Sequence, residues 1–232
     1  IYQIAPAIPV SFGWLKSLNF QWSFTTSKPK PISSIRVKPV LRRSVLIWYL
    51  LRPYKCWSSE NLKWFKNIVD KTNSINPDII VITGDLIDGA IPKADEFNKL
   101  IKQLKSKYGI FIITGNHEYY AGIEKFLHIC QETNITYLSN ANKLIENSIY
   151  IAGVEDNESK QFNGTGSNLE LALKNCDINK PIVLLNHRPI NFEKAVELGV
   201  DLQLSGHTHA GQIPPMDLLV MLIYKYPFGL HS

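Results

Sequence analysis

Four short apolar runs, each breaking abruptly into a polar cluster, constrain this chain more than any other feature. They are "DIIVITGDLID" (78–88), "IFIITGNHE" (110–118), "PIVLLNHRP" (181–189) and "LQLSGHTHAGQI" (202–213). Runs rich in Ile, Val and Leu suit strands covered on both faces, as in parallel sheets flanked by helices. Helical spacing fills the intervals. Ser58 or Ser59 can cap a helix carrying Leu62, Phe65, Ile68 and Val69 on one face and ending near Asn76-Pro77. A second helix, marked by Phe97, Leu100, Ile101 and Leu104, stops at Gly109. Shorter helices are expected around Glu124 to Glu132, from about 168, and near 191–198. "KLIENSIYIAGVED" (143–156) reads as a hairpin turning at Glu146-Asn147, followed by a polar loop to about 167. This alternation predicts a layered α/β fold with the polar clusters at strand ends, where converging loops bind ligands.

Each cluster alone is a weak signal, because Gly-Asp or Asn-His after a strand is ordinarily a turn. Their conjunction is stronger. Asp85, Asn116 and four of the six histidines, His117, His187, His207 and His209, all lie at the ends of successive strand-like runs, an arrangement that packing does not require. Asp, Asn and His without Cys form a mixed oxygen and nitrogen donor set, suited to a divalent transition metal such as Mn, Fe or Zn rather than Ca or Cu(I). We therefore expect a metal centre.

The ordered set, spread over residues 58–213, resembles the later signature motifs of the calcineurin-like metallophosphoesterase superfamily. The resemblance implies a four-layer α/β/β/α sandwich, two packed mixed β-sheets flanked by helices. It also implies that Asp85 bridges two metals, that Asn116, His187 and His207 complete the shell of one, and that His209 serves the other. His117 would be the catalytic acid for the leaving oxygen, with Glu118 and Asp88 as supporting partners. The implied activity is metal-dependent hydrolysis of a phosphodiester or phosphomonoester by metal-bound hydroxide. "GHTHAGQI" (206–213) is similar to bacterial, membrane-associated members acting on sugar-lipid phosphates, which points to a lipid-linked substrate and peripheral membrane contact. The alternative is a degenerate, catalytically weak protein holding one metal or a phosphate.

Residues 1–57 depart from the family pattern. The first 59 residues carry nine Lys or Arg, four of the five Trp and six of the thirteen Pro, but no Asp, Glu or His; residues 60–232 net minus four. A basic surface for anionic lipid or nucleic acid, an ordinary lead-in, and altered coding compete as readings. The family's first motif, Asp-x-His after the first strand, should fall within "SVLIWYLLRPY" (44–54), with Trp48 and Leu50 where Asp and His belong. We take altered coding as the expectation, which disfavours nucleic acid as a partner and leaves one metal where the family holds two. The domain is expected over 58–232, short at its C-terminus and so incomplete at both ends.

The remaining signals are modest. Three cysteines with no C-x-x-C pair suit a reducing compartment. The longest apolar runs, Val45–Leu51 and Leu218–Tyr224, are seven residues, against roughly 20 for a bilayer span. No segment reads as a signal peptide or span, so a cytoplasmic or membrane-peripheral location is expected. "LLVMLIY" (218–224) is expected in the core, Gly164-Thr165-Gly166 in a flexible loop, and His128 on an exposed helix face.

Overall fold

A computed structural model describes residues 2–5, 45–48, 59–89, 94–208, 216–226 and 229–231. Two sheets form. The smaller contains β2 (Val45–Trp48), β3 (Ile79–Ile82), β4 (Ile110–Ile112) and β5 (Thr136–Tyr137), in that spatial order and all parallel. The larger is mixed, in the order β10 (Gly229–His231), β1 (Tyr2–Ala5), β9 (Leu202–Leu204), β8 (Ile182–Leu185), β7 (Ile149–Gly153) and β6 (Ala141–Ile145). Strands β1 and β2 come from the basic lead-in and pair with β9 and β3 respectively.

The period-two alternation of each strand builds the layers. Ile80, Ile82, Ile110 and Ile112 face helices α1 (Ser59–Ser74), α2 (Ala94–Ile101) and α4 (Ile123–Thr133), meeting Phe65, Phe97 and Phe126. The intervening Ile79, Val81, Phe111 and Ile113 face the other way, onto Ile151, Val183, Leu185 and Leu204 of the larger sheet. On that sheet's far side Tyr150, Ala152, Ile182 and Leu184 pack against Leu169, Ala172 and Ala195 from α5 (Leu169–Ala172) and α6 (Phe192–Glu197). The result is the expected α/β/β/α sandwich. A fully buried side chain such as Phe111 or Ile151 contributes roughly 1.5–3 kcal/mol of transfer free energy, so the three apolar layers dominate stability.

The hairpin turns where expected. Glu146 and Asn147 both take positive φ, 47° and 52°, the conformation of a type I′ turn matched to the twist of β6 and β7. Two expectations need correction, and one element is additional to those expected: Asn116, just past β4, opens a six-residue helix, α3 (Asn116–Ala121). The polar stretch after the hairpin contains a 3₁₀ helix, Asn157–Phe162, and Gly164-Thr165-Gly166 is tied down rather than free: the Gly166 N–H donates to Ser159 Oγ and its carbonyl accepts from Asn140 Nδ2. Finally, 218–224 is not core. Helix α7 (Met216–Ile223) exposes Leu218, Leu219, Met221, Leu222 and Ile223, with Leu222 at 82% of its full accessibility. Nearly every position of this run is apolar, so there is no polar face to turn outward, and the described residues place no layer over it. His128 is exposed on α4, as expected.

Candidate metal centre

The chain leaves β3 through Gly84 (φ 90°) and Asp85 (φ 54°), two successive left-handed residues that turn the Asp85 carboxylate back across the sheet edge. Asp is among the few residues that enter this region at modest cost. Glycine is required at 84 because a Cβ there would overlap the Gly115 backbone and approach His187 Nδ1 to 2.8 Å. A Cβ on Gly115 would overlap Asp85 Oδ1. The Gly-Asp and Gly-Asn pairs of the two clusters thus let the loops after β3 and β4 touch. His187 follows β8 and is buried, and His207 follows β9 with φ 70°, a strained value for histidine.

Four donor atoms meet. Asn116 Oδ1 lies 3.3 Å from His187 Nε2 and 3.0 Å from His207 Nδ1. His187 Nε2 lies 3.2 Å from His207 Nδ1 and 3.3 Å from Asp85 Oδ2. A tetrahedron of donors around a first-row ion at ~2.0–2.2 Å has edges of about 3.3–3.6 Å, and these four separations lie at or just below that range. The orientation of His187 supplies the chemical test. Its Nδ1 donates to the Thr83 carbonyl at 2.7 Å, which in the neutral ring leaves the Nε2 lone pair facing a carboxylate oxygen, an amide oxygen and another imidazole nitrogen. Mutually facing acceptors are costly unless a cation or proton sits between them, and the residues fit a cation. Among the described residues, Asp85, His187 and His207 are the grouping of His, Cys, Asp and Glu side chains whose ligand atoms all lie within 4.8 Å.

The protonation pattern agrees. Burial works against ionisation of Asp85, yet His187 and His117 hold its carboxyl below the ordinary range. Burial also disfavours charge on His187, but the Asp85 carboxylate and the Thr83 carbonyl carry it up to about 9. His207 is pushed down to about 4 by burial, with the positive charges of His187 and Arg188 adding to the effect. Without metal, a proton on His187 substitutes for the cation.

The other expected residues surround this cluster. His117 stands beside it on α3, its N–H donating to Asp85 Oδ1 at 3.2 Å and its Nδ1 lying 2.8 Å from Asp88 Oδ1. Glu118 is fully buried, and its carboxylate accepts from the backbone N–H groups of Asp85, Leu86, Ile87 and Gly115. Burial and then the Asp85 charge push its carboxyl up to about 7, against the N–H donors of Gly115 and Ile87. His209 and Leu50 lie outside the described residues. Trp48 ends β2 opposite Ile82, three positions before Asp85.

Sequence reasoning missed two features. Arg188, next to His187, forms a bidentate ion pair with buried Asp156 (Nε and Nη2 at 2.7 and 3.0 Å). Tyr120 and Tyr224 set their rings edge-on to His117 and His207, at 5.9 and 6.0 Å. Arg188 could have been suspected from its neighbour, but the tyrosines carry no signal in sequence.

The profile of the family described as calcineurin-like phosphoesterase matches residues 58–211. An uncharacterized metallophosphoesterase from Helicobacter pylori is 40% identical over 166 residues, covering 71% of this chain and 45% of that protein. A transmembrane protein with metallophosphoesterase domain from Danio rerio is 34% identical over 177 residues, covering 72% of this chain and 40% of that protein. The chain thus spans less than half the length of these curated relatives. Among solved structures, the NAD nucleotidase of Haemophilus influenzae aligns with a TM-score of 0.42 at 17% identity, over 61% of this chain and 32% of that one.

Proposed function

The chain belongs to the calcineurin-like phosphoesterase family, and from that premise we propose that it hydrolyses phosphoesters at a metal held by Asp85, Asn116, His187 and His207. The convergence of these four donors at the ends of β3, β4, β8 and β9 carries the reading. A divalent cation supplies Lewis-acid charge for a phosphoryl oxygen and lowers the pKa of water. The protein's own part is positioning and proton transfer. Asp88 accepts a hydrogen bond from His117 Nδ1–H, which fixes the ring and turns Nε2 outward; in the doubly protonated ring the Nε2 proton passes to the departing oxygen and the ring is left neutral. The donor set favours Mn, Fe or Zn.

One ion per chain is the proposed complement. Residues 1–59 contain no Asp, Glu or His to supply a second ion's ligands, and Asp85 Oδ1 accepts the backbone N–H of His117. A weakly active, single-metal centre follows. The family match beginning at residue 58 supports reading the lead-in as altered coding, and resequencing that finds the same intact frame would refute it. The exposed apolar α7, which runs into Tyr224 beside His207, supports a lipid-linked phosphate as substrate. Equal turnover of acylated and non-acylated forms of one phosphodiester would remove that preference.

The test is metal analysis with bis-p-nitrophenyl phosphate turnover in added manganese, on the unmodified chain and on Asp85→Asn. The parent should hold about one ion and turn over; the variant, lacking the carboxylate charge, should lose both. Unchanged metal content in the variant would refute the assignment, and two tightly held ions in the parent would refute the single-metal centre.

A further inference from the structure

Glu118 takes part in no chemical step above, yet its buried carboxylate accepts four backbone N–H groups beside the site. Its Oε2 accepts from the N–H groups of Asp85 (2.9 Å) and Gly115 (2.6 Å), and its Oε1 from Leu86 (2.5 Å) and Ile87 (3.1 Å). Three of these donors are consecutive residues of the loop after β3; the fourth is the residue preceding α3. Glu118 is the third residue of α3, so its bond to Gly115 is half of a capping box and sets the start of the helix at Asn116. The bond to Asp85 N–H falls at a residue in the left-handed region, which Asp enters at modest cost and which this bond helps to hold. Two of the four donors, on loops 30 residues apart in sequence, are therefore referred to one buried side chain.

We propose that Glu118 is a positioning residue for the metal centre, a single carboxylate that holds Asp85 and Asn116 at coordinating separation by gathering four backbone N–H groups. This rests on the metal-binding reading above. The geometry explains why the side chain must be a carboxylate. Each oxygen has two lone pairs to offer, which satisfies four donors at once. A glutamine in its place keeps one oxygen but turns an NH₂ group towards two of the N–H donors, leaving them buried and unpaired. The loop would then move, and Asp85 with it, while the three apolar layers remain packed.

Cobalt supplies the test, because its visible spectrum reports donor geometry independently of turnover. In Glu118→Gln the far-ultraviolet dichroism should stay that of the parent, the Co²⁺ dissociation constant should rise about 10- to 100-fold, and the cobalt bands should shift or weaken. A folded variant with parental affinity and spectrum would overturn the proposal. If that variant does not fold, amide hydrogen exchange on the parent decides: adding Co²⁺ should slow Asp85, Leu86, Ile87 and Gly115 together, and no common slowing would overturn it. A parent that binds no cobalt would instead defeat the metal-binding reading itself.

Discussion

Residue by residue, the site as proposed separates groups that hold charge from groups that move a proton. His117 belongs to the second kind. His117→Ala should slow hydrolysis of alkyl phosphoesters by on the order of 10² or more, while nitrophenyl esters, whose leaving group departs unprotonated, lose much less. Parallel steady-state kinetics on both ester types test this, and equal losses would make His117 structural. His187 belongs to the first kind. In the metal-free protein Asp85 raises it to about 9, so below that pH a proton must leave before Nε2 can coordinate. Raising pH therefore favours metal binding, by up to about tenfold per unit, until the dependence flattens near 9. His207, lowered to about 4, is already neutral across this range and adds no proton. Calorimetric titration in buffers of different ionisation enthalpy should find about one proton released per ion bound. That Asp85, Asn116, His187 and His207 stand at strand ends is legible in sequence, because each follows a short apolar run that breaks into a polar cluster. The roles of Glu118 and of the Arg188–Asp156 pair were less so, since they depend on which loops meet across more than 30 residues of chain.

At the scale of elements, long periodic segments were read well and short ones were not. Helices α1, α2 and α4 have apolar residues at helical spacing and enough turns to display it, and the hairpin carries its own turn chemistry. α3 has six residues and takes its start from the capping interaction of Glu118, too little chain for a period to show. α7 misled for the opposite reason: a wholly apolar run reads as interior whatever surrounds it. Its exposure has a measurable outcome. Leu222→Glu should change unfolding free energy by no more than about 0.5 kcal/mol, as an exposed position would. Phe126→Ala, fully buried between α4 and the smaller sheet, should cost about 3–5 kcal/mol. Denaturant titration of the two variants distinguishes the positions directly.

Taken as one body, the protein divides the proposed metal centre between its two sheets. Asp85 and Asn116 follow strands of the smaller, His187 and His207 strands of the larger. Ligand linkage then predicts that an ion at 100 times its dissociation constant stabilises the fold by about 2.7 kcal/mol, which a chelator should abolish in a thermal melt. An unchanged melting temperature would show that the ion binds folded and unfolded chains alike. The split of donors between sheets has a consequence for lifetime as well. His187 stands 71 residues from Asn116, and His207 a further 20 along. A bound ion acts as a removable cross-link, closing loops that the covalent chain leaves open and fastening one rim of the sandwich. Where metal is scarce, that rim becomes the place at which the sheets part first, so proteolytic turnover of this protein should follow the supply of free metal.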